Sequence, residues 1–360
     1  MLLTEEEDFI DYREIFKMKL TINQIKDVTN GAAYITEQNE GVEFHRFTAE
    51  TENLYKNTKD YDLMLASAGI RLCFETDSTM LVLKGIAYQI SEVRSFYAID
   101  VIKNGTLIDS IKNYDDAVKR IEHYSDRKYP LGEFQKKIFL GEGVKKLEVH
   151  LPYSVRLTLT DVELDDGCKI EPVKYEKKLF AYGDSITQGY DALHPSERYT
   201  ARLCDALGVE ECNKGIGGAR FVPKLVEIPE ETEPFCIIAA YGVNDYCCDK
   251  KTTIQNNCHN FLYNLTKNYP NSQVFVISPI WKNNGVKNRD FRDFADMCML
   301  IGKEADGFKN VRHICAYDFV PHNPKYYADK AVVHPNADGF EFYFKALYNE
   351  LREYNAYNYI

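Results

Sequence analysis

Apolar and polar residues alternate in short runs through most of the first half of the chain, and turn residues separate the runs. Two of these runs flank Asn104-Gly105, a pair that tolerates the positive φ angles of a tight hairpin turn. Repeated short alternating strands are typical of an antiparallel sandwich or jelly roll. We therefore predict a jelly-roll-like β-sandwich domain over residues 1–175, with one helical stretch near residues 115–124.

The pattern changes in the second half, where apolar runs alternate with amphipathic stretches of helical periodicity. This alternation is typical of parallel βαβ units. Strands are predicted at residues 178–182, 209–213, 235–241, 273–278 and 311–317. Five parallel strands covered by helices on both faces form a three-layer α/β/α sandwich. We predict that this domain occupies residues 176–360.

Composition and net charge exclude some classes of function. The chain of 360 residues is 45% hydrophobic, which is enough to build packed cores. Its 44 Lys and Arg against 55 Asp and Glu give a net charge of −11, and no basic patch stands out, so no nucleic-acid partner is expected. The start lacks the features of a signal peptide, and no apolar run approaches the roughly 18 residues of a membrane span. We expect a cytoplasmic protein without a membrane partner; its oligomeric state is left open.

Cysteine usage raises the question of a metal site. The chain has ten cysteines, and in the absence of an export signal we expect them to be reduced. Cys247, Cys248, Cys258 and His259 offer suitable ligands for zinc, but their spacing matches no Cys-x-x-Cys pair. We therefore predict neither a metal nor an organic cofactor.

Polar residues with catalytic chemistry follow successive predicted strands. Ser185 follows the first strand, a glycine-rich segment ending near Gly218 follows the second, Asn244 follows the third, and His334 lies beyond the fifth. Ligands of open parallel sheets bind at the carboxyl ends of the strands. Each residue alone has a simpler interpretation as a turn, cap or surface residue. Their joint placement favours a nucleophile, a base and oxyanion donors that converge.

These segments resemble the motifs of the GDSL or SGNH hydrolases. Four blocks occur in the family's order: Gly-Asp-Ser at 183–185, the glycine block ending at 218, Gly-x-Asn-Asp at 242–245 and His-Pro-Asn at 334–336. The resemblance covers about residues 176–354 and implies the flavodoxin-like SGNH fold.

The same resemblance implies a role for each matching residue. Ser185 is implied as the nucleophile and His334 as its general base. The oxyanion hole is implied to consist of the backbone amides of Ser185 and Gly218 and the side chain of Asn244. No metal or cofactor takes part in this chemistry.

The third triad member departs from the family pattern. The acid usually lies three residues before the histidine, and that position is Ala331 in this chain. Asp329, five residues before His334, is the candidate acid. The alternative is a serine-histidine dyad in which a backbone carbonyl orients the imidazole.

The substrate is suggested by the domain order. A jelly-roll-like domain followed by an SGNH domain resembles the two-domain carbohydrate acetylesterases, which implies hydrolysis of acetyl esters on sugars or oligosaccharides. Trp281 follows the fourth predicted strand and is a candidate sugar platform, with core packing as the alternative. Two other functions stay open. One is a lipase, lysophospholipase or thioesterase, and the other is a noncatalytic glycan-binding protein.

Overall fold

The structure is a computed structural model that describes residues 17–38, 41–91, 94–115, 118, 129–283, 288–328 and 332–353. The helical stretch predicted near residues 115–124 lies outside these residues except for Asp115 and Val118. None of the helices within the described ranges has the length and apolar character that crossing a bilayer requires.

Strands of the first half are β1 Lys17–Lys19, β2 Thr29–Asn30, β3 Tyr34–Gln38, β4 Gly41–His45, β5 Arg71–Thr76, β6 Met80–Gln89, β7 Ala98–Lys103, β8 Thr106–Lys112, β9 Gly132–Phe139, β10 Lys145–His150, β11 Val155–Asp165 and β12 Ile170–Pro172. Strands of the second half are β13 Lys178–Gly183, β14 Glu210–Gly215, β15 Cys236–Ala240, β16 Gln273–Ser278 and β17 Val311–Cys315. The α-helices are α1 Ile22–Val28, α2 Ala49–Tyr55, α3 Tyr61–Met64, α4 Ser185–Gln188, α5 Tyr199–Leu207, α6 Val243–Cys248, α7 Lys251–Asn268, α8 Asp296–Ala305 and α9 Ala337–Glu353.

The first half folds into two antiparallel sheets. Among the described residues, one sheet has the order β3-β4-β11-β6-β9 with β1 beside β11, and the other has the order β12-β5-β10-β7-β8 with β2 beside β5. Alternate side chains from both sheets, such as Leu83 of β6 and Val101 of β7, enter one shared hydrophobic core. Because one face of each sheet is buried against the other, the two sheets form a β-sandwich.

The turn predicted between β7 and β8 is confirmed. Asn104 and Gly105 have φ angles of 49° and 79°, and the flanking residues Lys103 and Thr106 are paired across the two strands. Positive φ at both central residues is the conformation that matches the twist of a two-residue hairpin.

The second half contains a parallel sheet with helices on its faces, which confirms the predicted α/β fold class. In the described residues its order is β14-β13-β15-β16-β17, and every neighbouring pair is parallel. Numbered from β13, this is the doubly wound order 2-1-3-4-5. The strand order reverses at β13, so the crevice beyond β13 and β15 is the expected ligand position.

Helical periodicity explains how the helices cover this sheet. Along α7 the buried side chains are those that recur every three or four positions: Ile254, Cys258, Phe261, Leu262 and Leu265. The closing helix α9 buries Phe340, Tyr343, Leu347 and Leu351, together with Gly339, in the same way.

The two halves of the chain are packed against each other. Phe47, Phe96 and Tyr153 of the first half belong to the hydrophobic cluster that also contains the core of the α/β sheet. The side chain of Arg46 is fully buried between the halves, and its Nη1 donates to the carbonyl oxygen of Gly215 at 2.7 Å. The first half is therefore packed against the end of β14, next to the crevice.

Candidate active site

Ser185 lies at the switch point because β13 ends at Gly183, two residues before it. Gly183, the last residue of β13, leaves no room for a side chain, since a Cβ atom there would lie 2.0 Å from Thr187 Oγ1. Asp184 caps the short helix α4 by accepting a hydrogen bond from the Ile186 amide at 2.9 Å. This sharp strand-to-helix turn holds the hydroxyl of Ser185 at the carboxyl end of the sheet.

The structure brings Ser185 and His334 together. The Ser185 Oγ atom is 2.8 Å from His334 Nε2, although 149 positions separate the two residues in the chain. His334 lies just before α9, and its carbonyl accepts a hydrogen bond from the Ala328 amide at 2.9 Å. A serine hydroxyl and an imidazole at this distance form the pair that nucleophilic catalysis requires.

The other ring nitrogen of His334 contacts an aspartate that sequence reasoning missed. Asp191 Oδ2 is 3.0 Å from His334 Nδ1, and the Asp191 side chain is fully buried. Asp329, the predicted acid, lies outside the described residues, so its role stays a prediction. No spacing rule points to Asp191, because it belongs to a loop after α4 and has the left-handed φ of 74°.

Two of the predicted oxyanion donors, Gly218 and Asn244, lie on neighbouring segments that contact each other. Gly218 has a φ of 77° in a turn that the hydrogen bond from Ala219 N to Ile216 O closes at 3.0 Å. Within the described chain, no hydrogen bond is made by the amide of Gly218. Asn244, near the start of α6, donates from Nδ2 to the Ala219 carbonyl at 3.0 Å. This bond orients the side-chain amide and uses one of its two donor hydrogens.

Burial perturbs two carboxyl groups beside these residues. Desolvation raises the pKa of Asp184 to about 6, while its hydrogen bond from Ile186 and the nearby His334 act in the opposite direction. Desolvation likewise raises the pKa of Asp245 to about 7, against a hydrogen bond from the Phe221 amide. Carboxyl groups with raised pKa values often occur near functional sites.

Trp281 lies beyond β16, as predicted, but its ring is half-buried. One face stacks on the ring of His322, with centroids 4.9 Å apart and planes 15° apart. The ring of Tyr327 meets it edge-on at 5.7 Å. A sugar platform at Trp281 stays a prediction, and it requires the face opposite His322.

The cysteines weighed for zinc are divided between surface and core. Cys247 and Cys248 are exposed on α6, and Cys258 is buried under α7. Cys247 Sγ accepts a hydrogen bond from the ammonium group of Lys282 at 2.8 Å. Across the described ranges, no three His, Cys, Asp or Glu side chains are grouped in a way that could hold a metal ion.

Comparison with known families agrees with this geometry. Residues 181–342 match the family model of the GDSL-like Lipase/Acylhydrolase family. This part of the chain is thus a GDSL-like lipase/acylhydrolase domain, and the resemblance noted in the sequence is confirmed. The family supports hydrolysis of acyl esters as the activity of the domain. No curated protein matches the sequence.

Several solved structures share the fold of both halves. The salicylyl-acyltransferase SsfX3 from a tetracycline biosynthetic pathway has a TM-score of 0.77 at 19% identity, over 94% of this chain and 97% of that chain. An acetyl xylan esterase from the rumen bacterium Butyrivibrio proteoclasticus has a TM-score of 0.61 at 14% identity, over 94% and 97%. A family two carbohydrate esterase from Clostridium thermocellum has a TM-score of 0.62 at 14% identity, over 82% and 94%. At these identities the likeness shows the fold.

Proposed function

We propose that Ser185, His334 and Asp191 form the catalytic triad of a serine esterase that removes short acyl groups, above all acetyl groups, from sugars or oligosaccharides. One observation carries the esterase proposal. A single imidazole lies 2.8 Å from the serine hydroxyl through Nε2 and 3.0 Å from a buried carboxylate through Nδ1. This is the connectivity of nucleophile, base and orienting acid.

The reaction follows from that connectivity. His334 Nε2 takes the hydroxyl proton while Ser185 Oγ attacks the ester carbonyl carbon, and a tetrahedral intermediate forms. The imidazolium returns this proton to the departing sugar oxygen, which leaves an acetyl group on Ser185. Water then attacks the acyl carbon and gives its proton to His334, and acetate leaves as Ser185 regains its hydrogen. Asp191 fixes the tautomer with Nδ1 protonated and stabilises the imidazolium.

The negative charge on the oxygen of the tetrahedral intermediate requires hydrogen-bond donors, and we propose three. They are the backbone amides of Ser185 and Gly218 and the side-chain amide of Asn244. The positive φ of Gly218 and the hydrogen bond from Asn244 to the Ala219 carbonyl support the second and third of these donors, because they hold the turn at Gly218 next to the Asn244 side chain. Losing one such donor typically lowers kcat by about 10²- to 10³-fold.

Two observations support acetyl esters of sugars as substrates. The fold of both halves is shared with proteins named as an acetyl xylan esterase and a family two carbohydrate esterase. The half-buried Trp281 offers an aromatic ring close to the same edge of the sheet.

The test compares ester substrates that differ in their acyl group and in their alcohol group. We expect acetate release from acetylated xylo-oligosaccharides, and faster hydrolysis of p-nitrophenyl acetate than of the octanoate or palmitate. Ser185→Ala is expected to abolish turnover of every ester, with circular dichroism and melting temperature as controls for folding.

Any of three other results of this test would point to a different function. A preference for long acyl chains or thioesters would replace the sugar esterase by a lipase or thioesterase. Acyl transfer to an added alcohol in preference to water would favour an acyltransferase. Glycan binding by a wild-type protein that hydrolyses no ester would favour a noncatalytic role for the chain.

A further inference from the structure

The loop that carries Asp191 is held by the first half of the chain. Residues 190–196, here named the acid loop, follow the end of α4. The hydroxyl of Tyr153 donates to the Ala192 carbonyl, and the hydroxyl of Tyr114 donates to the Leu193 carbonyl. Both tyrosines belong to the β-sandwich half, so the backbone on the C-terminal side of Asp191 is fixed from across the interface.

A second anchor lies at the far end of the acid loop. Asp100 of β7, which is fully buried, accepts from the amide of Ser196 at 3.1 Å and from its hydroxyl at 2.7 Å. The ring nitrogen Nδ1 of His194 is 2.7 Å from the other carboxylate oxygen of Asp100. Burial alone would raise the pKa of Asp100, but these contacts together lower it. The hydrogen bond to Asp100 is the largest cause of a raised pKa at His194.

The third contact acts on the carboxylate itself. Arg94, from the segment before β7, places Nε 3.2 Å from Asp191 Oδ1 and Nη2 3.3 Å from Asp191 Oδ2. Its guanidinium group lies over the ring of Tyr190 at 4.0 Å, and only 8% of the Arg94 side chain is exposed. The same Nη2 atom is 3.5 Å from His334 Nδ1. One Asp191 oxygen therefore faces both the arginine and the catalytic imidazole.

We infer that Arg94 is a positioning residue for catalysis, and that the β-sandwich half thereby completes the active site of the α/β half. The inference rests on the proposed esterase function. A guanidinium fork binds both oxygens of a carboxylate in one plane, so it fixes the direction in which Oδ2 points. Arg94 thus keeps Oδ2 of Asp191 directed at Nδ1 of His334.

The arginine has a second, opposing electrostatic effect. The charged and titratable groups that face the His334 ring include Arg94, Asp184, Asp191 and Tyr190, besides Ser185. A nearby cation disfavours the imidazolium, and a nearby carboxylate favours it. Removing Arg94 should therefore raise the pKa of the catalytic imidazole, while removing the charge of Asp191 should lower it.

The first experiment uses Arg94→Gln and Arg94→Lys in the full-length protein with p-nitrophenyl acetate. For Arg94→Gln we expect kcat to fall by about 10- to 100-fold with KM within about threefold, because a small displacement of the acid affects the transition state most. The acidic limb of the kcat/KM profile should move to higher pH. Arg94→Lys, which keeps the charge but not the fork, should lose less activity and show no upward shift.

The second experiment is a double-mutant cycle with Asp191→Asn. If Arg94 acts through Asp191, adding Arg94→Gln to Asp191→Asn should cost less than twofold further in kcat. Arg156→Gln is the matched control. Arg156, like Arg94, is an arginine of the first half that pairs with a carboxylate, in this case Glu43 at 2.6 Å. That variant should keep wild-type kcat and an unchanged pH profile.

The outcomes separate this inference from the esterase proposal. The rate at which a fluorophosphonate probe labels Ser185 reports activation of the nucleophile without assuming a natural substrate. A wild-type protein that neither hydrolyses the acetate nor reacts with the probe would refute the esterase proposal. An active wild type whose kcat, pH profile and labelling rate match those of Arg94→Gln, or additive losses in the cycle, would refute the role of Arg94 alone.

Discussion

At the scale of single residues, the two ring nitrogens of His334 have different roles in the proposed general base. Nε2 must accept a proton from Ser185, so Nδ1 must carry a hydrogen and donate it. The carboxylate of Asp191 at 3.0 Å selects this tautomer, because an ionised carboxylate can only accept. An asparagine at position 191 could present its amide hydrogens to Nδ1 instead and would favour the wrong tautomer.

We therefore expect Asp191→Asn to lower kcat by about 10²- to 10⁴-fold while the protein stays folded. Asp329→Asn is the matched variant, since Asp329 was the acid expected from the sequence. Steady-state kinetics with p-nitrophenyl acetate measures both. If Asp329→Asn loses the activity and Asp191→Asn keeps it, the acid is Asp329, and Asp191 serves the fold.

Asp184 offers a prediction on stability. Its pKa in the folded protein, about 6, lies above the ordinary value of 3.8, and burial is the largest cause. Between about pH 4 and 6 the folded state then binds more protons than the unfolded state, so Asp184 destabilises the fold progressively as the pH rises through this window. Above pH 6 the cost is constant and amounts to at most about 3 kcal/mol.

Asp184→Asn removes this cost while its side-chain oxygen can still accept from the Ile186 amide. We expect the melting temperature of the variant to exceed that of the wild type by a few degrees at pH 8, and the difference to shrink as the pH falls to 4. Scanning calorimetry across this range measures the effect. An equal difference at pH 4 and pH 8 would show that the ionisation of Asp184 is not its cause.

The sequence was sufficient for part of the site and not for the rest. Ser185 and His334 could be predicted to meet because strand ends of a parallel sheet share one edge, and the family motifs name both residues. Asp191 and Arg94 carry no such signal. Their contact joins a left-handed loop residue to a side chain 97 positions earlier, and only tertiary packing sets it.

At the scale of elements, α4 and the end of β14 are in backbone contact. A Cβ atom on Gly215 would lie 2.3 Å from the Gln188 amide nitrogen, which cannot move without shifting α4. Gln188 also accepts a hydrogen bond from the Gly217 amide at 2.7 Å through its side chain. Helix α4 and the segment that follows β14, residues 216–218, therefore keep a fixed spacing because residue 215 has no side chain.

We expect Gly215→Ala to push α4 away from β14 and to lower both stability, by about 1–3 kcal/mol or more, and esterase activity. Gly307→Ala is the control, because its nearest neighbour is at an ordinary contact distance of 3.4 Å. Melting temperature and kcat are measured for both. Wild-type activity in Gly215→Ala would mean that the spacing of these elements tolerates a shift.

The elements themselves illustrate which patterns could be interpreted correctly from the sequence. The five strands of the parallel sheet were predicted within a few residues, because strands alternate with helical stretches and β13, β15 and β16 are short, mostly apolar runs. Helix α1 and strands β1 to β3 could not be placed. They lie in the first 40 residues and are short, and β1 and β2 pair with β11 and β5, partners far along the chain.

At the scale of the whole molecule, the halves are joined by a core and not by a flexible tether. The sandwich has a hydrophobic cluster of its own, yet Phe96 and Tyr153 belong to the cluster of the α/β sheet. Separating the halves would expose these aromatic side chains to water. It would also release the acid loop from its anchors, so stability and catalysis should depend on the same interface.

The buried Arg46 tests this coupling. Its guanidinium group donates to the carbonyls of Ala66 and Leu63 in the first half at 2.7 and 2.9 Å, and to Gly215 in the second half at 2.7 Å. Arg46→Met keeps much of the apolar volume but leaves these carbonyls without their donor. We expect a loss of about 3 kcal/mol or more, since each unsatisfied buried group costs about 1–3 kcal/mol.

Scanning calorimetry shows whether the two halves of the chain unfold together or separately. If the halves unfold together, the wild type shows one transition, and Arg46→Met moves all of it to lower temperature. Arg292→Met, at a side chain that is 77% exposed, should leave the transition within about 1 °C. Two separate transitions in the wild type, only one of which responds to Arg46→Met, would show that the halves fold independently, and the active site would then depend on the interface only through contacts such as that of Arg94.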